Sequence, residues 1–380
     1  GNHEFDWGFE EIYQYVDGSD ENGEATFPFL GCNIIEKNTG QRPEGVDAYQ
    51  IVNRGGLKIA IVGYMGEGNE SDIAEAMIGD YQFANPIPYI KSTISDLRVN
   101  QGVDVVIVSG HEGNDSNQML ASLEGDERVD AIINAHTHST YSGTITRTDG
   151  IKIPYVQAGS AGEKFGLIKL SIDQDTKQVT GGTAEVKYNL SKTEDSTIKT
   201  IVSNLKEETL PVFGRVIGIA NEYVDRYGAA DWAATALKEY ATTDIAVINI
   251  GGIRAQAFPI EQGTNITVSK IYEIMPFDNV LKTVDLKGLD VRILVNKSDF
   301  VMSSNVYQDR ATGLIYINGE VLDNDKMYSV ATIDYIFDKP ENPFLGGENI
   351  SNTGILFRDI LIQTVEKDGT IIIPIRGKNE

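Results

Sequence analysis

Short apolar runs rich in β-branched residues recur through the first half of the chain, at 57–63, 103–110 and 130–134, each followed by glycine and polar residues. Between them, 88–99 and 116–123 have the spacing of helices. Continuous apolar strands alternating with helices predict an α/β layered domain whose strands are buried on both faces. After Pro154 the pattern changes. Residues 155–158, 165–172 and 183–188 read as strands with no helix between them, an antiparallel closure of the domain. Ile198, Ile201, Val202 and Leu205 then fall at i, i+3, i+4 and i+7, one face of a helix that Pro211 is expected to stop. A second α/β domain follows, with a helix at 229–240, a strand at 244–250 and a helix at 286–295. The expected organisation is a first domain over 1–190, a helical linker over 191–212 and a second domain over 213–380.

Composition narrows the class. Hydrophobic residues make up 41% and charged residues 23%, the balance of an ordinary globular protein. No apolar run reaches the ~18 residues that a transmembrane helix needs. The net charge is −24 with no basic stripe, which argues against duplex nucleic acid or an anionic membrane surface as partner. An anionic substrate would need local positive charge, from metal ions or a few placed arginines. The single cysteine, Cys32, excludes an intramolecular disulfide, and its apolar setting predicts a buried small hydrophobe. The chain begins on Gly1 and opens abruptly on a polar cluster, which predicts a further segment upstream.

The candidate chemistry lies in the histidines, of which there are four: His3, His111, His136 and His138. His111 directly follows one predicted buried strand, and His136 and His138 follow another. Ligand sites in open α/β sheets lie at the carboxyl ends of strands. In an extended chain, His-x-His would put both imidazoles on one side. The opening Gly1-Asn2-His3-Glu4-Phe5-Asp6 packs an amide oxygen ligand (Asn2), a proton donor (His3) and an orienting carboxylate (Asp6) into one turn. Imidazole, amide and carboxylate without thiolate suit Zn²⁺, Mn²⁺, Co²⁺ or Fe²⁺, with no choice among them.

The order and spacing of these motifs resemble a known family. Gly1-Asn2-His3-Glu4-Phe5-Asp6, Gly110-His111-Glu112-Gly113, Ala135-His136-Thr137-His138 and Pro154-Tyr155-Val156-Gln157-Ala158-Gly159 are similar to the calcineurin-like metallophosphatase domain of 5′-nucleotidases. In the second half, Asn249-Ile250-Gly251-Gly252-Ile253-Arg254, Met275-Pro276-Phe277-Asp278-Asn279 and Phe357-Arg358-Asp359-Ile360-Leu361 resemble that family's C-terminal substrate-binding domain. The resemblance implies a layered metallophosphatase β-sandwich flanked by helices, then a helical connector and a second α/β domain. It implies two divalent metals in the intact protein, with Asn2, His111 and His136 binding one and His138 the other. His3, oriented by Asp6, would stabilise the phosphoryl transition state and assist the leaving oxygen. Asn249 belongs to the substrate loop, Arg254 would grip the phosphate, Gly251 and Gly252 would allow close backbone approach, and Phe277 would stack on the base. The implied reaction is hydrolysis of nucleoside 5′-monophosphates by a metal-activated water, the domains reorienting about the connecting helix. The implied location is extracellular, cell-surface or periplasmic. This agrees with general chemistry: a two-metal site ~3.5–4 Å apart neutralises phosphoryl charge and activates water, Arg matches phosphate through its planar fork, and an aromatic face grips any base.

The chain also departs from the pattern. The family's Asp-x-His and Gly-Asp motifs, which precede Gly-Asn-His-Glu, are not in this sequence, so the metal-bridging aspartate is missing from the ligand set. The late Gly-Gly-Asp-Gly-Tyr motif reads Gly346-Gly347-Glu348-Asn349-Ile350. The second aromatic of the base clamp is expected at Phe344, with Phe337 or Tyr335 as alternatives, and Arg226 is a further candidate for the phosphate. Rival readings are a UDP-sugar hydrolase, a 2′,3′-cyclic-nucleotide phosphodiesterase with 3′-nucleotidase activity, or a catalytically impaired nucleotide-binding fragment. Gly66-x-Gly68 lacks the rest of a dinucleotide fingerprint, and Gly159-Ser160-Ala161-Gly162 lacks nucleophile-elbow spacing.

Overall fold

The computed structural model describes residues 1–19 and 23–376. The chain forms two compact units, Gly1–Thr193 and Glu194–Glu380, each with its own core.

Unit 1 is built on a mixed sheet. Its strands are β1 (Tyr49–Arg54), β2 (Leu57–Met65), β3 (Val105–His111), β4 (Ala131–Ile133), β5 (Thr140–Thr146) and β6 (Lys152–Ala158). Among the described residues they run in the order β1-β2-β3-β4-β6-β5. The four central strands are parallel, and β1 and β5 pair antiparallel at the edges. Parallel strands need both faces covered. Helix α1 (Pro86–Val99) supplies one cover, with Ile90, Ile94 and Leu97 fully buried at i, i+4 and i+7. Its start is set by Pro86 at the first turn and by Asn85, whose side chain accepts from the Ile87 N–H. A hairpin of β7 (Lys164–Ile172) and β8 (Val179–Tyr188) forms a second layer. Gly166 and Gly182 let it lie directly on β6, since a Cβ at either would press 2.8 Å from Val156 or Pro154. A satellite cluster of Phe5, Phe9, Tyr81 and Phe83 packs ring to ring, with the Phe5–Phe83 centroids 5.4 Å apart. Burying a phenylalanine is worth ~1.5–3 kcal/mol. Phe5 thereby anchors the opening 3-10 helix Asn2–Trp7 that carries Asn2, His3 and Asp6.

Unit 2 begins with helix α2 (Ser196–Phe213), capped by the Asp195 carboxylate. Pro211 does not stop this helix. It sits in the last turn, where a missing N–H costs one hydrogen bond, and the helix closes at Gly214, which donates to the Leu210 carbonyl. The sheet follows: α3 (Arg226–Ala241), β9 (Ile245–Asn249), α4 (Val268–Ile274), β10 (Val280–Lys287), α5 (Gly288–Val295), β11 (Phe300–Met302), β12 (Met327–Ile333), β13 (Glu348–Leu356) and α6 (Phe357–Asp368). The strand order is β11-β9-β12-β10-β13, with β9 and β12 parallel and the other pairs antiparallel. Leu286 and Lys287, expected to open a helix, end β10 instead, because they stand opposite Tyr328 and Met327 in the antiparallel ladder with β12. Trp232 and Leu237 of α3 and Ile360, Leu361 and Val365 of α6 fill the core beside β9.

Candidate active site

The carboxyl ends of the parallel strands in unit 1 gather the candidate ligands. His111 is the last residue of β3 and stands opposite Met65, the last of β2. Its ring centroid lies 5.2 Å from that of His136, edge to face. Gly1 packs so closely on the His111 ring that a Cβ there would collide with it. Asn2 is 0% exposed; its Nδ2 donates to the Asn69 carbonyl at 3.4 Å, and its Oδ1 is buried without a hydrogen-bond partner. Asn69 in turn donates to the His111 carbonyl at 2.9 Å. Three segments distant in sequence thus place Asn2, His111 and His136 together. Asn69 belongs to the short 3-10 helix Asn69–Asp72, which the sequence reading missed. Its signal was the Gly66-x-Gly68 turn, set aside there as a failed dinucleotide motif.

Burial, with the His136 imidazole adding to it, pushes the His111 pKa down to about 4. The imidazole is therefore neutral, the form that ligates a metal, across the physiological range. His136 Nε2 lies 3.6 Å from Asp72 Oδ2, beyond hydrogen-bond reach. His3 Nδ1 lies 2.9 and 3.1 Å from the two Asp6 carboxylate oxygens. This bond holds the proton on Nδ1 and fixes the ring.

The extended geometry expected for His136-Thr137-His138 is not found. Strand β4 ends at Ile133, and His136 and His138 adopt left-handed φ values of 67° and 55°. Alternation along a strand therefore does not describe where their imidazoles point. No hydrogen bond or ion pair among the described residues engages His138.

The structure tests whether these residues fit a divalent metal. The unpartnered, buried Asn2 amide oxygen and the paired His111 and His136 imidazoles are donor types that suit a divalent ion. Among the described residues, no three His, Cys, Asp or Glu side chains converge as a metal-holding group, so no second ligand set is found around His138.

In unit 2 the loop after β9 carries the candidate substrate contacts. The Asn249 amide lies under Gly251 and Gly252, where an added Cβ would come within 3.2 and 3.4 Å of it. Its Oδ1 is buried without a partner. The Arg254 guanidinium stands 5.5 Å from the Phe277 ring centroid, so these two candidates are brought together. Among the described residues, no carboxylate or carbonyl engages the Arg254 guanidinium. Arg226 differs. Its Nε and Nη2 donate to the carbonyls of Ile253 and Ile250 at 2.7 and 2.9 Å. Two of the Arg226 donors thus brace the glycine loop, and among the described residues no hydrogen bond engages its Nη1.

Phe344 is corrected. It is 0% exposed and stacks on Phe337 at 5.5 Å, because the short Pro343–Gly346 turn folds the ring into the core. Neither ring can present a face to a base. Tyr335 is half-buried, with Lys339 donating to its hydroxyl at 2.9 Å. Glu348 is exposed at the start of β13. The sequence reading also missed the support under Phe277. Arg358, at the start of α6, donates to the carbonyls of Pro276 and Phe277 at 2.8 and 3.2 Å, pairs with Asp278 and lies over the Tyr272 ring.

Comparison with known proteins agrees with this architecture. A family model described as 5′-nucleotidase, C-terminal domain, matches residues 209–345. Endonuclease YhcR of Bacillus subtilis is 28% identical over 82% of this chain and 27% of its own length. Cell wall protein Lmo0130 of Listeria monocytogenes is 25% identical over 88% of this chain and 48% of its own. The chain thus spans about half the length of these curated relatives, or less. The crystal structure of a 5′-nucleotidase precursor from Thermus thermophilus superposes with a TM-score of 0.79 at 20% identity, covering 99% of this chain and 82% of that one. The second unit thus matches the 5′-nucleotidase C-terminal domain over residues 209–345, and the chain is similar in fold to that Thermus thermophilus protein. No helix among the described residues is long and apolar enough to cross a membrane.

Proposed function

We propose that the chain belongs to an enzyme that hydrolyses nucleoside 5′-monophosphates to nucleoside and phosphate, with unit 1 carrying the chemistry and unit 2 selecting the nucleotide. The observation that carries this reading is the convergence of Asn2, His111 and His136 at the carboxyl end of the unit 1 sheet, with the Asn2 Oδ1 unpartnered. These three side chains would hold one divalent ion, and His138 would serve a second in the intact protein. Such ions neutralise phosphoryl charge and bring a water to a reactive pKa. His3, held by Asp6, gives a proton to the ester oxygen as the P–O bond breaks, while water adds to phosphorus from the opposite side. Arg254 grips the phosphate through its planar fork, and Phe277 offers its face to the base. The location in keeping with this reading is outside the cytoplasm, at the cell surface or in a periplasm; a cell wall protein stands among the relatives.

A second reading is favoured by one observation. The absence of three converging His, Cys, Asp or Glu side chains among the described residues suits a nucleotide-binding protein without turnover. Phosphate release should be measured with Mn²⁺, Zn²⁺ or Co²⁺ on AMP, other 5′-monophosphates, a UDP-sugar and a 2′,3′-cyclic nucleotide, beside a His3→Ala control. Turnover of 5′-monophosphates above that control is expected. Arg254→Ala should raise KM by ~10–100-fold, the worth of one or two charge-assisted hydrogen bonds at ~1.5–3 kcal/mol. Nucleotide binding with no turnover above the control would establish the second reading. Turnover confined to the UDP-sugar or cyclic substrate would move the specificity.

A further inference from the structure

We propose that Gln157 is a positioning residue: it holds Thr137, and through it the left-handed backbone of the His136-Thr137-His138 loop that carries His136 to His111. The inference rests on the metal-site reading above.

The loop needs holding. His136 and His138 both have left-handed φ values, 67° and 55°, a region where the Cβ of an L-residue is crowded. Such a conformation persists only where the surroundings over-determine it. Some of that determination comes from the backbone. The Asn134 N–H donates to the Val156 carbonyl at 2.9 Å, and the Ala135 N–H donates to the Glu112 carbonyl at 3.0 Å. Asn134 also exchanges two hydrogen bonds with Asn117, at 2.8 and 2.9 Å, both residues being buried. These contacts fix the entry to the loop, and the Thr137 N–H closes a turn around His136 by donating to the Ala135 carbonyl at 2.8 Å, but none of them holds the Thr137 side chain.

Thr137, between the histidines, is gripped from two sides. Its hydroxyl accepts from Gln157 Nε2 at 2.8 Å. Its methyl lies against Gly113, where an added Cβ would stand 3.0 Å away. Gln157 is itself fixed. It is 2% exposed, directly opposite Tyr141 in the β5–β6 pair, and its Oε1 accepts from the Tyr141 hydroxyl at 2.8 Å. A buried amide left with one bond would be costly, so Tyr141, Gln157 and Thr137 order one another. Gly113 follows His111 by two residues, so the clasp on Thr137 also sets the two histidine segments against each other.

Four variants test this in the full 380-residue chain: Gln157→Leu, Thr137→Val, Thr137→Ser and Tyr141→Phe. One readout is Zn²⁺ affinity by competition titration. The other is the imidazole NMR signals of the metal-free protein, where four histidines give four assignable sets. Thr137→Val and Gln157→Leu are expected to weaken Zn²⁺ binding by ~10-fold, the low end for residues supporting a metal ligand. Both should displace the His136 and His138 signals and leave His3 in place. Thr137→Ser, which keeps the hydroxyl, should stay within ~3-fold of the parent. Thr137 is exposed, so its variants report even if Gln157→Leu fails to fold. Parent affinity and unmoved His136 and His138 signals in Thr137→Val and Tyr141→Phe would overturn the proposal. A parent chain that binds no Zn²⁺ would sink the metal reading instead, and the metal-free spectra would still decide the positioning.

Discussion

Replacing His111 by alanine is expected to lower metal-dependent phosphate release by about three orders of magnitude while leaving the fold in place. The argument starts from position. His111 ends a strand buried between two parallel neighbours, and its ring is held between Gly1 and His136. Burial keeps it neutral down to about pH 4, so no proton competes with a ligand in ordinary buffers. On the proposed assignment, losing one of three donors removes most of the grip on the ion. If ~4 kcal/mol of transition-state stabilisation goes with it, the rate falls ~10³-fold. The side chain is half-buried and makes no ring hydrogen bond that the fold depends on, so the melting midpoint should move by only a few degrees. Metal content by elemental analysis and turnover should fall together. A variant that keeps its metal and a tenth or more of the parent rate would show that His111 is not a ligand.

The largest expected effect on stability lies at the opposite end of the same sheet. Arg98, near the end of α1, and Asp130, just before β4, form a buried ion pair at 2.7 Å with side chains 3% and 2% exposed. The pair is embedded in further bonds. Arg98 donates to the carbonyls of Val103, Asp104 and Arg128, and Asp130 accepts from the Val106 N–H at 2.8 Å. Arg98→Met would leave the Asp130 carboxylate buried with one backbone donor. Breaking such a pair from one side costs ~3–5 kcal/mol, because the remaining charge has lost its water without a partner to replace it. The double variant Arg98→Met with Asp130→Leu should recover a large part of that loss. Calorimetry of unit 1 unfolding is the measurement. A single variant within ~1 kcal/mol of the parent would mean that water reaches Asp130.

Much of the fold could be read from period and composition. The runs that became β2 and β3 are continuous and β-branched, as strands covered on both faces must be, and their flanking glycines and polar residues mark their ends. Elements whose place is set by a partner were harder. Leu286 and Lys287 carry no local mark of strand, and only pairing with β12 makes them one. Ile198, Ile201, Val202 and Leu205 do share a helical face, yet that face is exposed, because period reports helix and says nothing of what covers it. At the site, residue types were legible and geometry was not. His3 and Asp6 meet because they lie within one helical turn. Arg226 and Arg254 look alike in sequence, and only the structure shows that the first also holds the carbonyls of Ile250 and Ile253. Phe344 fits the expected motif position, but a shortened turn sends its ring inward.

The left-handed backbone at His136 and His138 has a consequence for how this chain can vary. Glycine takes up such φ values without the crowding that a Cβ brings, and the crowding is worth ~1–2 kcal/mol per residue on general grounds. Unit 1 therefore carries two imidazoles at positions where a residue chosen only for thermal endurance would have no side chain at all. A lineage selected for robustness, freed from the need for activity, has an inexpensive route to a firmer loop by giving up both histidines. Their presence marks a place where the scaffold yields stability to chemistry.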